Sequence, residues 1–224
     1  MQTLKFEDLP QGGFAGLKER QFVTDRRVFP RASAQAFDGV GNFVYLADAN
    51  FQPFGETGPH PHREIDVISV MVDGRISHAG SLEHGQGLEA GYTQVQRAGA
   101  EGFSHNEINP DGKENHMIQL WVLPDQAGER AGYKVYEPKI GQVQTVYGGP
   151  KGQDETFYSG TSIAVANLEA GQQVEHDGDV LAFLSKGEGK VNGTRVSART
   201  AIRSKSGIAL TALEDAQLIL VYVN

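Results

Sequence analysis

The sequence predicts an all-β fold, on three observations. The 28 glycines and nine prolines among 224 residues break the apolar runs into short pieces. Several of those pieces, such as Asp66 to Val72 (DVISVMV) and Leu218 to Val223 (LILVYV), have strand length. The dipeptides Asp73-Gly74 and Asn192-Gly193 are strong hairpin signals, because glycine accepts the positive φ that a tight hairpin turn demands. A chain of this length buries a real core as one large domain or as two of about 100 residues each.

Composition excludes several function classes. A net charge of -8 gives no footprint for a nucleic-acid backbone or an anionic membrane surface. There is no cysteine, so neither a disulfide framework nor a thiolate metal site is available. The start, MQTLKFEDLPQGG, lacks a basic segment followed by an apolar run, and no stretch approaches the ~18 apolar residues that would span a bilayer. The expectation is a soluble, cytoplasmic protein.

Taken in order, residues 1 to about 40 read as a structural arm with no assignable chemistry. Phe43 to Leu46 form a short strand, and Pro53, Gly55, Gly58 and Pro59 make a loop that delivers the chain to His60. Pro61 has no amide donor and belongs at a strand start or edge. Asp66 to Val72 is an apolar strand, turned back at Asp73-Gly74. His78 to Gly91 is polar and glycine-rich, Tyr92 to Arg97 is a strand, and Phe103 to Glu107 is another. After the turn Asn109-Pro110-Asp111-Gly112 comes His116 to Leu123 (HMIQLWVL), which Pro124 stops. Asp125 to Gly132 reads as a linker and Tyr133 to Tyr147 as a transitional segment, giving domains over 1–125 and 126–224.

The second half repeats the first. DVISVMVDG, ending at Gly74, matches DVLAFLSKG, ending at Gly187. Superposing these glycines sets Gln173 on His60 and Glu175 on His62, while matching Gly102 with Gly207 sets Leu210 on His105 and Ala212 on Glu107. The second copy lacks the ligand types of the first.

Those four residues of the first copy carry the functional reading. Side chains two apart on a strand point the same way, so His60 and His62 share a face, as do His105 and Glu107. Two such pairs on neighbouring strands converge four ligands on one point. Three imidazoles and a carboxylate suit iron, manganese, nickel, copper or zinc; calcium and magnesium would call for oxygen ligands.

His60-Pro61-His62-Arg63, the apolar strand behind it, Asp73-Gly74, the Gln94 to Gly102 tract, His105-x-Glu107 and Gln119-Leu120-Trp121-Val122 together resemble the pirin family of the cupin superfamily. The resemblance is close over about residues 40 to 125 and general beyond. It implies a bicupin, two jelly-roll barrels in tandem, with one metal in the N-terminal barrel. The implied ligands are His60, His62, His105 and Glu107, and the implied metal is Fe(II), with Ni, Mn, Cu or Zn as alternatives. It also implies either a quercetin 2,3-dioxygenase type of activity on a small-molecule substrate with O2, or a metal-dependent regulator that binds a protein partner. A non-oxidative cupin reaction is a third reading. In the first, Glu107 is the natural general base for the substrate hydroxyl.

The chain departs from the family pattern at Glu64, commonly glycine, and at Asp66, commonly glutamate. Glu64 is a fifth ligand, an acceptor for an imidazole N–H or a rim residue, the last two favoured. Val95-Gln96-Arg97 replaces an often aromatic tract, which implies a more polar pocket. Of the remaining residues, His78 and His84 read as solvated, His116 as a surface residue first and a supporting residue beside the site second, and His176 as lacking a convergent partner. Trp121 reads as core first and as lining a cavity second, Asp66 as a strand anchor and Asn109 as a turn-holding residue.

Overall fold

The computed structural model describes residues 1–82 and 84–224, without the side chains of 84–86, so the expectation for His84 lies outside the described residues. The chain forms two compact units. One spans Leu9–Glu137, and the other joins Met1–Asp8 to Pro138–Asn224. The boundary expected after residue 125 thus falls after Glu137, and the first eight residues go with the second unit.

The strand β1 (Gln2–Lys5) is followed in the first unit by β2 (Gly12–Phe14), β3 (Leu17–Thr24), β4 (Phe43–Phe51), β5 (His60–His62), β6 (Asp66–Asp73), β7 (Arg75–Gly80), β8 (His84–Glu89), β9 (Thr93–Arg97), β10 (Phe103–Ile108), β11 (His116–Val122) and β12 (Gly132–Tyr136). The second unit continues with β13 (Gln142–Gly149), β14 (Ser159–Leu168), β15 (Gln173–His176), β16 (Val180–Lys186), β17 (Glu188–Val191), β18 (Thr194–Ser197), β19 (Thr200–Ser204), β20 (Ile208–Ala212) and β21 (Ala216–Val223). The described residues contain no α-helix, and no helix is long and apolar enough to cross a membrane.

In each unit a larger sheet is accompanied by a four-stranded one. The first has β12-β9-β6-β11-β4-β3-β2 and β5-β10-β7-β8; the second has β1-β19-β16-β21-β14-β13 and β15-β20-β17-β18. The small sheets match strand for strand, and β9-β6-β11-β4 matches β19-β16-β21-β14. The repeat read from the sequence is therefore a repeat of topology, and Gly74 and Gly187 both take a positive φ. The hairpin expected at Asp73-Gly74 is instead a bend that carries the chain from the large sheet into the small one, since β6 pairs with β9 and β11 while β7 pairs with β8 and β10. The central strands of the large sheets are buried throughout, as in β6 (Val67, Ile68, Val70, Met71) and β21 (Leu218, Ile219, Leu220, Val221). The stretch from His78, expected as polar loop, instead continues β7 and β8. Tyr133 to Tyr147 divides, its first part pairing with β9 and its last with β14.

Registers correct the alignment of the two copies by one residue. Phe103 pairs with His62 and His105 with His60, whereas Ile208 pairs with His176 and Leu210 with Val174. The counterparts of His60 and His62 are therefore Val174 and His176, not Gln173 and Glu175, which are exposed. Val174, Leu210 and Ala212 are buried and apolar, so the second unit keeps one imidazole where the first has three.

Asp66 anchors its strand as expected. Its carboxylate accepts hydrogen bonds from Ala98 N (3.1 Å) and Arg97 Nε (3.2 Å), and Arg97 also pairs with Glu129. Asn109 holds the following turn: its amide donates to Gln52 O (2.9 Å) and Lys113 O (2.7 Å), and its Oδ1 accepts from Asp111 N (3.1 Å).

Candidate metal centre

The strands β5 and β10 place the histidines. Because β5 is an edge strand, Pro61 sits where no ladder donor is missed. The antiparallel register sets His105 directly across from His60. One ring nitrogen each from His60, His62 and His105 lies within 4.8 Å of the others, with His62 and His105 buried and His60 half-buried. Glu107, expected as the fourth ligand, stands outside that group while lining the same cavity as His60 and His62.

The hydrogen bonds fix how each ring is presented. The carbonyl of Gly58 can only accept, so His60 donates through Nδ1 (2.9 Å) and leaves a lone pair on Nε2. Likewise His105 Nδ1 donates to Gln96 Oε1 (2.9 Å). The two Nε2 atoms face each other at 3.0 Å. Two lone pairs this close repel unless a cation lies beside both. Nitrogens bound at right angles to one divalent metal, at about 2.1 Å each, would stand about 3.0 Å apart. His62 Nε2 and Glu107 Oε2 are buried with no hydrogen-bond partner, which is the signature of ligand atoms awaiting a cation. The residues thus fit a divalent transition metal.

Burial sets the charge states. It drives His62 down to about 4, helped by His60, and His105 down to about 2, helped by its neighbouring imidazoles. Both are neutral at physiological pH, as metal coordination requires. Burial pushes the Glu107 carboxyl up to about 7, although Ser69, donating to Oε1 at 2.9 Å, and Gln119 oppose it.

A buried network behind the histidines was not legible in the sequence. Gln96 Oε1 accepts from His105 and from Gln94 (2.9 Å), Gln96 Nε2 donates to His78 Nε2 (3.0 Å), and Gln94 Oε1 accepts from Tyr133 OH (2.9 Å). His78 is fully buried, so the expectation that it is solvated is wrong. The available signal was the spacing of Gln94 and Gln96, which puts two amides on one face of a core strand.

A cavity of about 580 Å³ opens in front of the histidines. Trp121, expected as core, lines it; its ring lies 5.6 Å from His62 and stacks 4.5 Å from Tyr45, which in turn packs 5.4 Å from Phe29. Glu64 takes φ 52, breaking the alternation that would have aligned it with the histidines, and its Oε1 accepts from Gly128 N (3.0 Å). His116 is not a surface residue: it lies 2.9 Å from the buried Asp48. His176 packs on Tyr222 and, as expected, belongs to no ligand group among the described residues.

Known proteins align with this arrangement. The pirin family pattern matches residues 23–122. A pirin-like protein of Caulobacter vibrioides is 31% identical over 182 residues, covering 73% of this chain and 75% of that protein. The chain belongs to the pirin family. A Pseudomonas aeruginosa relative, provisionally named a quercetin 2,3-dioxygenase, is 34% identical over 178 residues, 74% of this pirin and 76% of the relative. In fold, this pirin superposes on the crystal structure of the Escherichia coli pirin YhhW in complex with nickel(II), with a TM-score of 0.80 at 20% identity, over 99% of this chain and 98% of that one. The all-β bicupin fold follows from that likeness.

Proposed function

We propose that this pirin is a metal-dependent dioxygenase acting on a flavonol-like or other enolisable aromatic compound. In this reading His60, His62 and His105 hold one divalent metal, iron(II), and Glu107 beside it serves as the base. The observation that carries it is the juxtaposition of three imidazoles with a buried carboxylate whose Oε2 has no partner, beside an aromatic-walled cavity. The name of the Pseudomonas relative points to the same chemistry.

A bound metal of this type supplies Lewis-acid polarisation of a substrate oxygen and redox chemistry with dioxygen. The chain's own residues do the rest. Trp121, Tyr45 and Phe29 offer flat faces against which an aromatic substrate stacks. Glu107, held near pH 7 by burial, takes the proton of the substrate hydroxyl through Oε2, while Ser69 keeps Oε1 in place. The buried wall limits the water that competes for the site.

The test is oxygen uptake by iron(II)-loaded, untagged protein with flavonols, beside metal analysis of the same samples. The parent is expected to hold about one iron and consume oxygen with flavonol loss. His105→Ala is expected to lose both, and Glu107→Gln to keep iron while slowing uptake by about 10²- to 10⁴-fold. Iron-loaded parent that consumes no oxygen with flavonols or enediols would leave a binding or regulatory protein, and turnover of an enediol without oxygen would mark a non-oxidative enzyme.

A further inference from the structure

The far end of the cavity carries a charge that the chemistry above does not use. Glu19 lines it and is only 8% exposed. Its Oε2 accepts from Tyr45 OH (2.9 Å) and its Oε1 from Gln21 Nε2 (2.8 Å), both neutral groups. A carboxylate offers about four acceptor sites, so these two donors leave capacity for more. A buried carboxylate left with such capacity gains from any further donor brought to it.

The registers place this group relative to the histidine end. Gln21 pairs with Ala47, Ala47 with Gln119 and Gln119 with Ser69, so these residues form one row across β3, β4, β11 and β6. Two strand spacings, roughly 10 Å, separate Gln21 from Gln119. Ala47 between them projects only a methyl group, and the ring wall runs from His62 through Trp121 to Tyr45, whose hydroxyl meets Glu19. The cavity also carries residues of opposite charge in its lining. Arg63, adjacent to His62, lines the histidine end, and Glu19 lines the other.

We propose that Glu19, set by Gln21 and Tyr45, is the specificity-determining residue of the cavity: it selects flat aromatic ligands bearing a hydroxyl donor at the end remote from the chelating oxygens and rejects those with an anion there. This rests on the flavonol-type reading of the site. Residues 1 to 40, expected as a structural arm, supply Glu19, Gln21 and Phe29 to the cavity wall.

The experiment uses nickel(II)-loaded full chain under nitrogen, so that nothing turns over. Calorimetry measures the Kd of four probes: flavonol itself and its 4′-hydroxy, 4′-methoxy and 4′-carboxy derivatives. Quenching of Trp121, the only tryptophan, reports that binding is in this cavity. The parent should bind the hydroxy probe about tenfold more tightly than the methoxy probe and the carboxy probe most weakly. In Glu19→Gln the carboxy probe should gain about tenfold and the preference for the hydroxy probe should shrink, while unsubstituted flavonol keeps its Kd. In Glu19→Ala the preference should vanish. Equal binding of hydroxy and methoxy probes by the parent, or an unchanged order in both variants, would overturn the assignment while leaving the flavonol reading intact. If unsubstituted flavonol itself neither binds nor quenches Trp121, the flavonol reading fails and takes the subsite with it.

Discussion

Acidification of the metal-free protein separates the carboxylate of the site from its imidazoles. Glu107 is held above its ordinary 4.5, at about 7, so the folded state binds its proton more tightly than the unfolded state does. Its contribution is fully present below pH 4.5 and is lost as pH rises through 7. His62 and His105, held below 6.5 at about 4 and about 2, act in the opposite sense: their contribution is present above pH 6.5 and is lost on acidification. Each titrating group changes stability by about 1.4 kcal/mol per pH unit within its window. Between pH 7 and 4.5 the two histidines therefore remove about 5 kcal/mol and Glu107 returns about 3 kcal/mol. The chelated parent should lose about 2 kcal/mol over that interval and Glu107→Gln about 5 kcal/mol. Exposed carboxylates contribute equally to both proteins and cancel. Urea unfolding followed through Trp121 fluorescence reads the first unit specifically, since the only tryptophan lies there. Parallel pH profiles for the two proteins would refute the assignment of a neutral, buried carboxyl beside neutral imidazoles.

Gln96→Leu leaves His105 Nδ1 without its acceptor; nickel(II) affinity by calorimetry should fall about 10- to 100-fold, with Gln96→Glu retaining more of it. Asp66→Ala removes one of the two carboxylate partners of Arg97 and the acceptor of Ala98 N, and should destabilise the first unit by about 1.5–3 kcal/mol in urea unfolding at pH 7. Nickel(II) at 100 times its Kd should stabilise the parent by about 2.7 kcal/mol and leave the double variant His62→Ala/His105→Ala unchanged in the same assay.

That His60, His62 and His105 come together was legible because they belong to a local pattern. His-x-His and His-x-Glu on strands fix a common face through alternation alone, and glycine at Gly74 and Gly187 marks the turns that repeat the fold. What lay behind and in front of them was not local. His78 meets Gln96 across strands β7 and β9, and Glu19 meets Tyr45 across β3 and β4, so neither contact leaves a trace in sequence spacing. Trp121 in an apolar run reads as core because a cavity wall and a core use the same residues. The copies were misaligned by one at β15 for a related reason: a strand slipped by one residue exchanges its faces, and only the pairing with β20 shows which face is inward.

The pairing of the first strand has a consequence for synthesis. Gln2 and Lys5 bond to Arg203 and Thr200, so the opening segment waits for almost the whole chain to emerge before its partner exists. At about 5–20 residues per second, those ~195 intervening residues take roughly 10–40 s on the ribosome. During that time Leu9–Glu137 is already fully translated and has all its strands in hand. The histidine-bearing half can thus be complete first and sample metal before its sibling has all its strands. A fusion or deletion at the extreme amino end would be felt in the half that carries no ligand cluster.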